Sequence, residues 1–171
     1  MQQRVTRKQP NARMCFVCGM QNQSGLKGRF YELENGELLA IFRPLQDHQS
    51  YPGRLHGGLA ATILDETIGR AIMVATEGTI WGVTIDFSVR YRKPVPLDVD
   101  LRVVSRITGS DRRSFSGTGE IYLPDGTVAI EGAGKYLKMD IDKIADFDHQ
   151  GDDWKVYQDA ADPVVVEIPV K

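Results

Sequence analysis

One aspartate, set without a basic neighbour in an apolar helix, is the first position in this sequence able to do chemistry. From Gly58 to Thr76, apolar residues fall on almost every side of a helical wheel, the pattern of a helix enclosed all round rather than along one stripe. Asp65 lies in its middle. The residues three and four positions away, Ala61, Thr62, Ile68 and Gly69, offer it no positive charge, whereas Glu66 has Arg70 four residues later, in the order that favours an ion pair along a helix. Glu66 therefore has a structural explanation and Asp65 does not. An ionised carboxylate in apolar surroundings is costly unless it is paired, hydrogen-bonded or opened to a wet cleft, and sites that keep one are enriched in catalysis.

His56-Gly57-Gly58 stands immediately before this helix. Two glycines at a helix start let a ligand approach the backbone, and the first turn leaves amide N–H groups without intrahelical acceptors. Such donors, reinforced by the helix dipole, suit a developing oxyanion on an acyl carbonyl. Other nucleophile and phosphate patterns are missing. There is no G-x-S-x-G and no P-loop, and Ser116-Gly117-Thr118-Gly119 falls inside a strand pattern instead of between a strand and a helix.

The elements that must position these residues follow from periodicity. Asn35-Gly36 predicts a tight hairpin between strands at Lys27 to Leu33 and Glu37 to Arg43. A loop from Pro44 to Leu55 leads to the helix. After Gly78 the period becomes two, with Trp81, Val83, Ile85, Phe87, Val89 and Tyr91 alternating with polar residues along one long strand. Further strands are expected at Leu97 to Ile107, Arg113 to Leu123 and Val128 to Met139, the last two joined through Asp125-Gly126. Two strands, one enclosed helix and four antiparallel strands make an α+β fold in which a curved antiparallel sheet wraps one long central helix. Residues 1–13, polar and basic, are expected as a flexible arm, 14–139 as the folded domain and 140–171 as an acidic tail. That tail is expected to hold a short helix near Asp142 to Phe147 and an apolar run, Val164-Val165-Val166, able to cover an edge strand.

The 171 residues carry a formal net charge of −2, which provides no broad positive field for a phosphate backbone and argues against nucleic-acid partners. Apolar stretches such as Leu59 to Ile63 are far short of the roughly 20 residues of a membrane helix, and the first residues lack an apolar signal segment, so a cytoplasmic protein without membrane contact is expected. The two cysteines, Cys15 and Cys18 in CFVCG, have no second CxxC or paired histidines to complete a zinc site. They are expected as reduced thiols beneath the N-terminal segment. No metal and no cofactor is expected.

HGGLAATILDETIG followed by GVTIDFSVRYRKPVPL resembles the PaaI-like hotdog-fold acyl-CoA thioesterases over roughly Leu45 to Met139, and CFVCGMQNQSGL resembles the leader of some members. The resemblance implies a hotdog fold, a homodimer or homotetramer, and hydrolysis of an acyl-CoA thioester. It implies Asp65 as nucleophile or as general base on water, Gly57 as oxyanion donor, His56 as the neighbour that helps position the thioester, and Thr84 as the strand hydroxyl assisting the carboxylate or water. Gly58 belongs to the same substrate-facing turn. Where several members carry asparagine six residues before the motif histidine, this chain has Ser50, with Gln49 and His48 as alternatives for orienting water or carbonyl. Arg90, Arg92 and Lys93 are candidates for the coenzyme A phosphates. Alternation puts Thr84 on the face opposite Trp81, Val83 and Ile85, away from its own Asp65. A dimer would resolve that conflict, since the resemblance implies that the carboxylate and the helix start come from different subunits. Two other readings use the same pocket: an acyl-thioester dehydratase or hydratase, with His48 or His56 and Glu66 as acid and base, and a non-catalytic acyl-CoA binding protein.

Overall fold

The computed structural model describes residues 1–145 and 154–169. Strands β1 (Gln2–Lys8), β2 (Asn11–Ala12), β3 (Arg29–Leu33) and β4 (Leu38–Phe42) precede helices α1 (Gly57–Arg70) and α2 (Ile72–Thr76). Strands β5 (Trp81–Tyr91), β6 (Leu101–Ser110), β7 (Ser114–Tyr122) and β8 (Val128–Met139) follow, then β9 (Trp154–Lys155) and β10 (Val165–Glu167). The main sheet runs β10-β1-β3-β4-β6-β7-β8-β5 with antiparallel pairing, and β2 pairs with β9. Gly36, at φ +83°, turns β3 into β4 as Asn35-Gly36 predicts.

Helix α1 lies in the concavity of the sheet and touches β4, β5, β6, β7 and β8. Ala60, Ile63, Leu64 and Ile68 are buried together with Phe30, Phe42, Val103 and Ile121 around them. The glycine-rich stretch of β7 has a packing role here: a Cβ at Gly117 would stand 2.8 Å from Ile68 Cγ2, and one at Gly119 would stand 3.0 Å from Ile68 Cγ1. The absence of side chains lets the helix sit directly on the strand. A sheet wrapped on one central helix is the hotdog architecture.

The N-terminal segment departs from the expected loose arm. Gln2–Lys8 forms β1, which closes one side of β3 and is itself paired by β10, with Gln2 opposite Glu167. Its charges, unpaired in the local sequence, meet partners far along the chain: Arg7 with Glu32 at 2.7 Å and Lys8 with Asp162 at 2.6 Å. Composition reads such a segment as solvated because those partners appear only on folding. The apolar run in the tail does cover an edge, through β10. Between Asp142 and Phe147 the described part holds only a 3₁₀ turn, Ile141–Lys143, and residues 146 and 147 lie outside the described residues.

Candidate active site

His56 ends the preceding loop in extended conformation, and its Nδ1 accepts the Gly58 N–H at 3.0 Å, capping α1. Gly58 is therefore already satisfied. Gly57 keeps its N–H without an acceptor among the described residues, while its carbonyl accepts the Tyr91 hydroxyl at 2.8 Å. This turn opens on a cleft walled by Ser50, Tyr51, Arg54, Tyr91, Arg92 and Lys93. Arg92 is paired with Glu131 at 2.7 Å.

The other expected residues disperse. Gln49 spends its side-chain oxygen on the Gly53 N–H, at 2.8 Å. His48 is buried, accepts the Leu45 N–H on Nδ1 and binds the Ser24 carbonyl through Nε2, so both ring nitrogens are engaged. Arg90 lines a groove with Ser88, Thr118 and Glu131 rather than the Gly57 cleft. Arg54 takes its place beside Arg92 and Lys93. The sequence signal for Arg54 was its position two residues before His56.

Asp65 lies two helical turns further along α1, half-buried on a cavity of about 280 Å³. Thr84 Oγ1 donates to Asp65 Oδ1 at 2.9 Å, and the Tyr136 hydroxyl donates to the same oxygen at 3.1 Å. Asp65 makes no ion pair among the described residues, whereas Glu66 is held by Arg70 at 2.8 Å. Burial pushes the Asp65 carboxyl above the usual aspartate range, against the two hydroxyl donors, and the nearby Glu66 charge adds to the rise. Burial and the Asp65 charge push the Tyr136 phenol upward as well, which keeps it protonated as a donor.

The Thr84–Asp65 bond within one chain corrects the alternation argument. The register of β5 against β8 shifts between Thr84 and Asp86, so that Thr84 faces Tyr136 and Asp86 faces Lys135. A β-bulge at Ile85 adds one residue and exchanges the two faces of the strand. Gly82 and Thr84 then look toward the helix before the bulge, and Phe87 does so after it, over Gly132. Tyr136 escaped sequence reading altogether, because a tyrosine in a β-strand is ordinarily a packing residue, and here it also stacks on Phe115 at 5.0 Å.

Replacing Tyr136 by Phe keeps that stack and removes one donor to the ionised Asp65. The carboxyl should then titrate higher still, so the acid limb of a pH–rate profile that depends on ionised Asp65 should move to higher pH. An unmoved limb would separate Tyr136 from the titration of Asp65.

Gly57 and Asp65 are eight residues apart on one helix, about 12 Å by helical rise. A single carbonyl cannot touch both within one chain. The chain presents, at two separate places along one helix, an acid with its hydroxyl donors and an amide without an acceptor among the described residues.

Residues 52–130 match the Thioesterase superfamily. Over these residues the hotdog unit is similar to that superfamily. Rat acyl-coenzyme A thioesterase THEM4 is 29% identical over 115 residues, covering 67% of this chain and 48% of the relative. The chain thus spans about half the length of that relative. The crystal structure of protein RHA08564, a thioesterase superfamily protein, superposes with a TM-score of 0.66 at 28% identity, covering 73% of this chain and 60% of that one. A hypothetical thioesterase protein from Streptococcus pneumoniae, solved with coenzyme A, has a TM-score of 0.55 at 21% identity, covering 61% of this chain and 82% of that one.

Proposed function

We propose that the protein hydrolyses an acyl-CoA thioester to the free acid and coenzyme A, and that two copies build each site. The observation that carries this is the division of the machinery along α1, with an unneutralised Asp65 at one place and an unused Gly57 amide at another. Strand β5 touches both, through Thr84 at Asp65 and through Tyr91 at Gly57. It is also an edge of the sheet, with Ile85 50% and Tyr91 54% exposed. An unpaired, apolar edge of this length is a template for pairing with another strand. Antiparallel pairing of two β5 strands about a two-fold axis near Phe87 and Ser88 sets Thr84 of one copy across from Tyr91 of the other, and so brings Asp65 to the helix start of its mate.

In such a site the Gly57 N–H polarises the thioester carbonyl and stabilises the tetrahedral oxyanion. Asp65 of the other copy takes a proton from water that attacks the carbonyl carbon, or attacks it directly to give an anhydride that water then cleaves. Thr84 and Tyr136 aim the carboxylate. His56 fixes the turn by its cap on Gly58, and Ser50 lies where a polar group can meet water or carbonyl. Arg54, Arg92 and Lys93 supply positive charge at the mouth for the phosphates of coenzyme A. The reaction as proposed requires no metal and no redox cofactor. The names of the acyl-CoA thioesterase relatives and the coenzyme A held by the S. pneumoniae protein support this substrate class.

Dehydratase chemistry is less well served, since Glu66 is tied to Arg70 and both nitrogens of His48 are occupied. A panel of acyl-CoAs assayed for thiol release should show hydrolysis with free acid formed in equal amount. Addition of water to enoyl thioesters without thiol release, or tight binding with no turnover across the panel, would overturn the proposal.

A further inference from the structure

Cys15 and Cys18 are the only cysteines of the chain, and the hydrolysis proposed above uses neither. Both nevertheless line the Asp65 cavity, together with Trp81 and Trp154, the only two tryptophans. The turn between them aims two backbone N–H groups at Cys15 Sγ, from Val17 at 3.3 Å and from Cys18 at 3.4 Å. Cys18 is fully buried behind it, where its sulfur accepts from the Ala12 N–H at 3.4 Å and from Arg70 Nη2 at 3.1 Å. The two sulfurs and a Glu66 carboxylate oxygen lie within 4.8 Å of one another, Cys15 Sγ donates to Glu66 Oε2 at 3.5 Å, and neither cysteine is in a disulfide.

A metal ion would need the negative charge of this cluster, but Arg70 already holds it. The guanidinium pairs with Glu66 at 2.8 Å and lies over the rings of Phe30 and Trp154 at 4.2 and 4.7 Å. A fixed internal cation therefore stands in contact with two of the three donors. What the arrangement favours is an asymmetric dithiol. Hydrogen bonds from the Cys18 thiol and from the backbone draw Cys15 down to about 7, against burial and the facing Glu66 charge, while its bond to Cys15, together with burial, holds the Cys18 thiol up. The half-exposed sulfur is the nucleophile and the buried one keeps its proton.

We propose that Cys15 and Cys18 form a reversible dithiol–disulfide couple, oxidised by hydroperoxides, that reshapes the wall of the Asp65 cavity. The Cys15 thiolate attacks one peroxide oxygen, the O–O bond breaks, and Cys15 becomes a sulfenic acid while the departing oxygen leaves as alcohol or water after taking up a proton. Cys18 then loses its proton and attacks the sulfenic sulfur. Hydroxide departs and leaves as water with that proton. Two thiols have been oxidised and one peroxide reduced, and a dithiol reductant reverses the change by exchange. The new S–S bond, about 2.05 Å long, draws Cys15 toward Cys18 and away from Glu66, and moves the Cys18 sulfur that Arg70 contacts.

The test uses the full chain and needs no substrate, so it is independent of the hydrolase reading. After stoichiometric hydrogen peroxide, the intact mass should fall by two hydrogens, both thiols should resist alkylation together, and peptide mapping should link Cys15 to Cys18. Tryptophan emission should fall as the disulfide forms beside Trp81 and Trp154, and dithiothreitol should restore all of these readings. Cys18→Ser should stop the reaction at Cys15 sulfenic acid, captured by dimedone, and Cys15→Ser should leave Cys18 unreactive; the wild-type readings stand whether or not these variants fold. Oxidation of Cys15 to sulfinic acid with no disulfide would overturn the proposal. So would thiols that react no faster than in the urea-unfolded chain, or isolation of the protein with one equivalent of zinc that blocks both thiols.

Discussion

Asp65→Asn is expected to keep the fold and the proposed dimer and to lower thioester turnover by a factor on the order of 10²–10⁴, the usual contribution of a positioned acid or base. The side-chain amide retains an oxygen to accept from Thr84 and Tyr136, which hold Oδ1 at 2.9 and 3.1 Å in the native chain. It cannot take a proton from water or act as a nucleophile. The stability of the variant carries a second, opposite expectation. The Asp65 carboxyl is raised in the folded protein by burial, so the folded state holds its proton more tightly than the unfolded chain does. The resulting penalty on folding is absent below the ordinary aspartate range, grows as pH rises through it toward the raised folded value, and is fully present above that. Asp65→Asn should therefore melt no lower than the native protein at pH 7, with any advantage disappearing in acid. Steady-state hydrolysis and thermal melts at two pH values check both halves. Unaltered turnover would remove Asp65 from the mechanism, and a much lower melting temperature would show the carboxylate to be a structural group instead.

Gly57→Pro should cost about 10²–10³ in rate, the usual loss of one oxyanion donor. Proline removes the one N–H this residue could offer and suits the first position of a helix. The preceding His56 has φ −63° and ψ 131°, the extended conformation that a residue before proline adopts. Only the Tyr91 ring, 3.3 Å from a Cβ at this position, must yield slightly. The same variant tests whether two copies share each site. When Gly57→Pro and Asp65→Asn chains are unfolded together and reassembled as equal mixtures, half of the dimers should be mixed. In each mixed dimer one site joins an intact Gly57 to an intact Asp65, and the other carries both lesions. Activity should return to about a quarter of the native value, as two-fold pairing of the halves requires. Persistence of both defects in the mixture, with mixed dimers verified by mass, would place each site within a single chain.

The helical run from Gly58 to Thr76, which the structure divides into α1 and α2 at Ala71, the Asn35-Gly36 hairpin and the four closing strands are legible in the sequence because each is set by local periodicity and turn chemistry. The solitude of Asp65 on its helix is legible for the same reason, since neighbours three and four residues away are fixed by helical geometry. The reading of the first residues as an arm failed where local information ends. Arg7 and Lys8 look solvated until Glu32 and Asp162 arrive from distant parts of the chain.

Sequence by itself determined which acid lacks a local cation, that a glycine-flanked helix start offers amides to a ligand, and that one apolar helix must be enclosed by antiparallel strands. Tertiary structure alone decided what touches that acid. A single inserted residue at Ile85 exchanges the faces of β5 and delivers Thr84 to Asp65, and pairing of β8 with β5 delivers Tyr136 beside it. It also separated Arg90 from Arg92 and Lys93, and seated the CxxC turn on the Asp65 cavity. The physical reason is range: periodicity records what lies within one turn or one pleat, whereas a bulge or a contact across the sheet depends on register between segments that the chain brings together only on folding.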